Sequence, residues 1–248
     1  MVKRIWKKIA VVGLCMMMLL ESGISAEAKD YYDMKYNHWP TKTPYKGKPD
    51  EVLAEIDVDD FQTPVNTVKK DFNGDGTEES VKMQLKMAKD YRSANVKLKM
   101  NKEIKINKKI SGILVNVSFY TVKVQEECFG ILLYGDEDYA SGGADIYRVT
   151  GDLQLEKLKS YQTSGYLSVF AAYDKTLKKA VLYMLDSKQL FNMYGQKWPA
   201  NVLKKYKKYA KKEGTSVTKS TYFKYSYKNG TLKRVGRDHY YRVGMAYD

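Results

Sequence analysis

Cysteine and histidine are scarce in this sequence, with two of each among 248 residues, and both shortages limit what the protein can be. Cys15 lies in an N-terminal stretch that we predict is removed, so Cys128 remains alone and no intramolecular disulfide can form. The run Cys-Phe-Gly-Ile-Leu-Leu that begins at Cys128 is apolar, which indicates a buried and unreactive core position. His38 has only His239 as a possible companion, which argues against a histidine metal site.

Sequence motifs of common enzyme classes are also missing. The chain has no Gly-x-Ser-x-Gly nucleophile elbow, no His-Glu-x-x-His zinc motif and no glycine-rich phosphate-binding loop. Two weaker arrangements exist. Asp238 and His239 could belong to a catalytic triad only if a distant serine joined them. Asp57 and Asp59 could act as the two carboxylates of a glycosidase only if the fold set the required distance between them. The residues therefore favour a non-enzymatic protein. A carboxylate-dependent hydrolase of cell-wall polymer or glycan is the alternative.

The N-terminus has the three parts of a secretory signal peptide. Four basic residues precede residues 9–20, which are apolar and uncharged, and Ala26 and Ala28 supply the small residues of a cleavage site. We therefore interpret residues 1–28 as a signal peptide and expect a protein that is secreted or bound to the cell surface, without a transmembrane segment after cleavage. An uncleaved anchor and a lipoprotein attached through Cys15 are the alternatives.

The formal net charge of +14 is large for a chain of this length. Such a field favours anionic partners, among them phosphate-rich cell-wall polymers, acidic lipid surfaces and nucleic acid. Nucleic acid fits less well, because single-strand binding needs exposed aromatic residues and the tyrosines here occupy apolar strand positions. A lysine-rich surface that is simply solvated is the plain alternative. The composition resembles that of exported Gram-positive proteins.

The mature chain divides into a tail and one domain. Residues 29–50 hold three of the five prolines without a clear apolar period, which predicts a flexible tail rich in proline, lysine and tyrosine. Residues 51–248 are interpreted as a single β-rich domain. In residues 81–87 and 96–100 apolar side chains alternate with lysine and glutamine, as in strands with one buried face.

Turn signals separate the strands and one helix follows late in the chain. Asn229-Gly230 is a strong hairpin signal, and residues 149–153 and 173–179 have similar surroundings. Residues 200–213 predict a basic amphipathic helix, which either packs on its own domain or lies on an anionic membrane or polymer. We therefore predict a mainly β fold of antiparallel hairpins, either a propeller-like fragment or a sandwich, with one short late α-helix.

One loop carries a recognisable chemistry. Residues 71–79 read Asp-Phe-Asn-Gly-Asp-Gly-Thr-Glu-Glu, with carboxylate or amide oxygens at positions one, three, five and nine and glycine at position six. Several hard oxygens around a glycine turn are what Ca²⁺ requires. Lys82 stands where an EF-hand has its bidentate glutamate, and a strand pattern follows, so an EF-hand is rejected. An ordinary Asn/Asp/Gly turn is the alternative.

The loop resembles the Asp-x-Asn-x-Asp-Gly-x-x-Glu loops of FG-GAP or VCBS-type repeats in the integrin-like β-propeller family, in which the loop leads into a strand. The resemblance covers about twenty residues and one copy of the loop. It implies bound calcium held by the side chains of Asp71, Asn73, Asp75 and Glu79 and by the backbone carbonyl of Thr77. The expected role of the ion is structural.

A second acidic stretch follows the apolar run at Cys128. Residues 135–138 and 141–145 combine glycines with carboxylates, but their spacing matches no known ligand pattern. We expect a solvated hairpin loop here, and a further cation site is the alternative.

Overall fold

The computed structural model describes residues 29–32, 43–59, 62–89, 91–111, 115–136, 142–191, 204 and 215–245. The strands, in chain order, are β1 (Lys29–Tyr32), β2 (Tyr45–Lys46), β3 (Ala54–Asp59), β4 (Val65–Lys70), β5 (Glu79–Met87), β6 (Ser93–Met100), β7 (Glu103–Ser111), β8 (Val115–Val124), β9 (Glu127–Asp136), β10 (Gly142–Val149), β11 (Leu155–Thr163), β12 (Tyr166–Asp174), β13 (Lys179–Phe191), β14 (Thr215–Lys228) and β15 (Thr231–Met245). The predicted mainly β fold is confirmed. The predicted helix over residues 200–213 lies outside the described residues, except for Lys204.

The strands form three sheets. The largest has the order β1-β15-β14-β13-β12-β2, the second has the order β11-β10-β9-β8-β3, and the smallest is the meander β4-β5-β6-β7. Neighbouring strands are antiparallel except that β1 runs parallel to β15. The antiparallel, hairpin-rich arrangement that the sequence predicts is therefore present.

The five-stranded sheet lies between the other two, because both of its faces are buried. Phe119 and Leu132 belong to a core shared with the four-stranded sheet, where they join Leu98. Ile131 lies in a second core, shared with the six-stranded sheet and Leu182. Adjacent residues of a strand point to opposite faces, so the continuous apolar run in β9 follows directly from its central position.

The four-stranded sheet shows the opposite pattern, with one buried and one exposed face. In β5 Val81, Met83 and Leu85 are buried, whereas Lys82 and Lys86 are exposed. This alternation is the period-two pattern of the sequence, and it places Lys82 and Lys86 on the outer side of the sheet.

The predicted hairpin turns are confirmed. Asn229 and Gly230 have φ angles of 51° and 75° and connect β14 to β15, where Lys228 pairs with Thr231. Both positive angles match the type I′ turn that Asn-Gly favours, because these two residues tolerate the left-handed region. Turns at residues 150–154 and 175–178 connect the other two predicted hairpins.

Two stretches of the predicted tail pair with the six-stranded sheet. Lys29–Tyr32 extends it as β1, and the short strand Tyr45–Lys46 pairs with the end of β12. The Tyr45 ring lies 5.4 Å from Phe170 and 5.5 Å from Tyr183, measured between ring centroids. Aromatic contacts of this kind explain why a proline-rich segment lies against the domain. Among the described residues there is no helix long and apolar enough to cross a membrane.

Candidate metal centre

The acidic loop connects β4 to β5 at one end of the four-stranded sheet. Its backbone turns sharply at Gly74 and Gly76, which have φ angles of 78° and 91°. These angles are strained for residues with a Cβ atom, so glycine at both positions permits the loop to fold back on itself.

Asp71 organises the loop from its first position. Its Oδ1 accepts hydrogen bonds from the backbone N–H groups of Gly74 at 2.6 Å and Asp75 at 3.2 Å. Its Oδ2 accepts a bond from the N–H of Gly76 at 2.8 Å. The Asp71 carboxylate therefore accepts hydrogen bonds from three successive backbone amides, and the loop backbone curves around it.

Three of the predicted ligands converge. One carboxylate oxygen from each of Asp71, Asp75 and Glu79 lies within 4.8 Å of the other two. Glu79 is buried at 4% exposure, whereas Asp75 is exposed. No lysine or arginine in the described part of the chain forms an ion pair with these carboxylates. This cluster of hard oxygens can therefore hold a metal ion.

The electrostatic environment differs between the ligands. Burial raises the pKa of Glu79, and the charges of Asp75 and Asp71 act in the same direction, while a hydrogen bond from the N–H of Phe72 partly opposes them. The pKa of Asp75 is lowered by hydrogen bonds from the Asn73 side chain and the N–H of Thr77. The two carboxylates therefore shift in opposite directions, since burial dominates at Glu79 and hydrogen bonds dominate at Asp75.

The other two predicted ligands lie in the same loop and are engaged by protein groups. Asn73 accepts a hydrogen bond at Oδ1 from the Asp75 N–H at 3.0 Å, and its Nδ2 donates to Asp75 Oδ2 at 2.8 Å and to the carbonyl of Gly151 at 3.1 Å. The Thr77 N–H donates to Asp75 Oδ1 at 2.7 Å. These contacts place both residues beside the carboxylate cluster.

Phe72 connects the loop to the core, and the sequence pattern did not single it out. The side chain has 0% exposure and stacks on Phe119 with the ring centroids 6.1 Å apart. Its carbonyl accepts a hydrogen bond from the thiol of Cys128 at 3.5 Å. An aromatic residue between two polar ligands was the available signal. The contacts of Phe72 with Phe119 and Cys128 anchor the acidic loop to the middle sheet.

The remaining candidate residues have structural surroundings. Cys128 is buried, and burial raises the pKa of its thiol to about 12, which agrees with an unreactive core position. Asp238 binds Lys224, whereas the adjacent His239 contacts Thr221 at 3.0 Å. Neighbours on one strand point to opposite faces, so Asp238 and His239 do not form a catalytic pair.

Asp57 and Asp59 lie on β3, and only Asp59 has a defined role. Its Oδ1 accepts hydrogen bonds from the backbone N–H groups of Gln62 and Thr63, the latter at 2.9 Å. Asp57 is exposed. Asp59 therefore stabilises the turn between β3 and β4, as short acidic side chains commonly do.

The expectation of a solvated loop at the second acidic stretch is wrong for Asp145. This residue lies on β10 at 0% exposure and binds Lys108 Nζ at 2.6 Å and Lys157 Nζ at 3.2 Å. Burial alone would raise the pKa of Asp145, but the hydrogen bond from Lys108 reverses the direction and lowers it. Lys108 belongs to β7, so this pair joins the two smaller sheets. Residues 137–141 lie outside the described residues.

A second buried ion cluster lies on the six-stranded sheet and was not foreseen. Lys224 Nζ lies 3.0 Å from Asp174 Oδ2 and 2.8 Å from Asp238 Oδ2, and all three residues are at most 4% exposed. The Tyr183 hydroxyl also donates to Asp174. The residues come from β12, β13, β14 and β15, so this cluster ties four strands together.

Comparisons of the chain with protein-family models, with curated proteins and with solved structures give no match. Any functional conclusion therefore depends on the residues and their geometry. The likeness of residues 71–79 to FG-GAP and VCBS-type loops stays a prediction.

Proposed function

We propose that the protein is an exported β-rich binding module that is stabilised by calcium in the loop of residues 71–79 and has an anionic cell-surface partner. The observation that carries the metal part is the convergence of Asp71, Asp75 and Glu79. In a chain of net charge +14, three carboxylates meet without a lysine or arginine partner among the described residues. A bound cation removes their mutual repulsion.

Calcium is the ion that suits this donor set best. All the donors are hard oxygens, and Ca²⁺ accepts six to eight of them in a flexible arrangement. Mg²⁺ requires a near-ideal octahedron and retains several waters, which a long wrapping loop does not favour. Asn73 and Thr77 would complete the set, as the resemblance implies. Extracellular modules of this kind bind calcium at roughly 10⁻⁴–10⁻³ M, which suits an exported protein.

The role of the ion would be structural. The loop joins β4 to β5 and is anchored to the middle sheet through Phe72. Binding at the loop would therefore stabilise the base of the hairpin and its attachment to the core. The predicted signal peptide supports export, and the net charge supports an anionic partner.

Calorimetric titration of the purified protein with CaCl₂ tests this proposal. We expect one site of submillimolar to millimolar affinity, weaker binding of MgCl₂, and loss of the site in Asp71→Asn. The matched control is Glu78→Gln, which removes one exposed carboxylate next to the cluster and should bind calcium like the unaltered protein. Absence of binding at millimolar calcium, or equal binding by Asp71→Asn, would contradict the proposal.

A further inference from the structure

The outer face of the four-stranded sheet concentrates positive charge. In β4 to β7 the residues that point away from the core include six lysines. We call this set the basic face: Lys69, Lys82, Lys86, Lys97, Lys99 and Lys109. Lys69, Lys82, Lys86 and Lys109 are exposed, and Lys97 and Lys99 on the central strand are partly exposed.

The strand register places these lysines close together. Lys82 on β5 pairs directly with Lys99 on β6, and Lys86 and Lys109 lie on either side of Asn95. Cβ atoms of directly paired residues are about 5 Å apart, and like charges in that position are destabilising. None of the six lysines forms an ion pair with a carboxylate in the described part of the chain. An arrangement that costs folding stability in this way is expected where an anion binds.

The positions between the lysines carry neutral hydrogen-bonding groups. Gln84 pairs with Lys97, and Lys97 pairs in turn with Asn107, whose Oδ1 accepts a bond from the Asn95 side chain at 3.0 Å. The two acidic residues of these strands are occupied elsewhere, since Glu79 is buried in the metal loop and Glu103 pairs with Lys105. The basic face therefore presents ammonium and amide groups without a competing carboxylate, and the exposed side chains of Val65 and Ile104 lie beside them.

We propose that the basic face binds a linear polyphosphodiester, such as a polyol-phosphate polymer of a cell wall. This inference rests on the anionic partner of the proposed function and assigns it a surface and a chemical class. Lys97 and Lys99 are two residues apart on one strand, which separates them by about 6.8 Å, and Lys82 is paired with Lys99 across strands that are about 4.8 Å apart. A flexible polymer whose phosphates have a similar spacing would contact these ammonium groups one after another. Its hydroxyl groups would form hydrogen bonds with the side-chain amides of the basic face.

Nucleic acid and membrane surfaces fit this face less well. Strands β4 to β7 contain no aromatic residue. Single-stranded nucleic acid is held largely by stacking of bases on aromatic side chains, and tyrosine or tryptophan is enriched where proteins contact lipid headgroups. The basic face thus combines ammonium and amide groups with two exposed aliphatic side chains, Val65 and Ile104, and has no aromatic ring in its strands. This combination favours a polymer of phosphate and hydroxyl groups over one that carries bases.

The test compares two triple variants that change the net charge equally. Lys82→Gln/Lys97→Gln/Lys99→Gln removes the centre of the basic face. The control is a triple variant of exposed lysines in and beside the six-stranded sheet, with Lys178 in the turn between β12 and β13: Lys178→Gln/Lys228→Gln/Lys233→Gln. Affinity for synthetic poly(glycerol phosphate) is measured from 50 to 200 mM NaCl. Vesicles of phosphatidylglycerol and phosphatidylcholine (1:3) and a single-stranded DNA 20-mer serve as competing probes, and far-UV circular dichroism checks folding.

We expect the basic-face variant to bind the polymer at least roughly tenfold more weakly at 50 mM salt, and its log K to log [salt] slope to be smaller by about 2. The control should stay within about threefold of the unaltered protein. Equal losses in both variants would overturn the assignment of the surface and leave a nonspecific charge effect. Tighter binding of DNA or vesicles than of the polymer would overturn the polymer class. No binding of any polyanion by the unaltered protein would overturn the anionic partner itself.

Discussion

At the scale of single residues, Glu79 is a buried carboxylate and one of the proposed metal ligands. Glu79 is 4% exposed and lies close to two other carboxylates. One hydrogen bond from the Phe72 N–H partly stabilises the negative charge of the Glu79 carboxylate. A buried acidic group of this kind destabilises the folded state unless it is protonated or paired with a cation.

The pH dependence of stability in chelator follows from this residue. The pKa of Glu79 in the folded protein is raised above its ordinary value of 4.5, so the folded state binds more protons than the unfolded state in that range. The contribution of Glu79 to the unfolding free energy therefore falls as pH rises from about 4.5 through the raised pKa. We expect Glu79→Gln to abolish this fall, so that urea denaturation shows the variant gaining stability relative to the unaltered protein towards neutral pH.

Glu78→Gln provides the comparison, since Glu78 is exposed and outside the carboxylate cluster. Its stability curve should run parallel to that of the unaltered protein. A parallel curve for Glu79→Gln would show instead that Glu79 is ionised at no cost in the metal-free fold.

At the scale of elements, the buried ion cluster on the six-stranded sheet has the clearest energetic consequence. Lys224 on β14 lies between Asp174 at the end of β12 and Asp238 on β15. Burial alone would lower the pKa of Lys224, but hydrogen bonds to Asp238 and Asp174 raise it overall. The lysine therefore stays charged and compensates two buried carboxylates.

Replacement of Lys224 by methionine should destabilise the protein by about 3–5 kcal/mol, because two buried carboxylates lose their cation. Urea denaturation at pH 7 measures the change. Lys179→Met is the matched control, since Lys179 is half-buried and donates to the neutral hydroxyl of Ser226 at 2.9 Å. It should cost about 1 kcal/mol or less. Equal and small losses in both variants would show that the cluster does not support the sheet.

The elements themselves were predictable to the extent that their signals are local. Alternation in residues 81–87 and the Asn229-Gly230 turn depend on the nearest neighbours in sequence, and both predictions are confirmed. The pairing of β3 with β8 and of β12 with β2 joins residues far apart in the chain, so no local pattern indicates it.

The same limit explains which site residues were foreseen. Residues 71–79 form one continuous segment that ends at the first residue of β5, so their spacing alone brings three carboxylates together. Lys224 and Lys108 look like any other lysine in a chain with 43 basic residues, and only the packing of sheets reveals their partners. Aromatic neighbours on both sides of Lys224, Phe223 and Tyr225, were the one available signal.

At the scale of the whole molecule, the acidic loop of residues 71–79 and the basic face belong to the same small sheet. The loop closes one end of the β4–β5 hairpin, and the lysines cover the outer side of β4 to β7. The other face of this sheet packs on the middle layer, together with Phe72 from the loop. A cation in the loop would therefore stabilise the sheet that presents the basic face.

A thermal melt in chelator and in calcium, with Asp75→Ala beside the unaltered protein, tests the central claim most directly. At a calcium concentration about ten times Kd, binding linkage gives about 1.4 kcal/mol of stabilisation. For a domain of this size we predict a rise in Tm of about 3–6 °C that is absent in Asp75→Ala. An unchanged Tm at millimolar calcium, or an equal rise in the variant, would contradict a calcium site at residues 71–79.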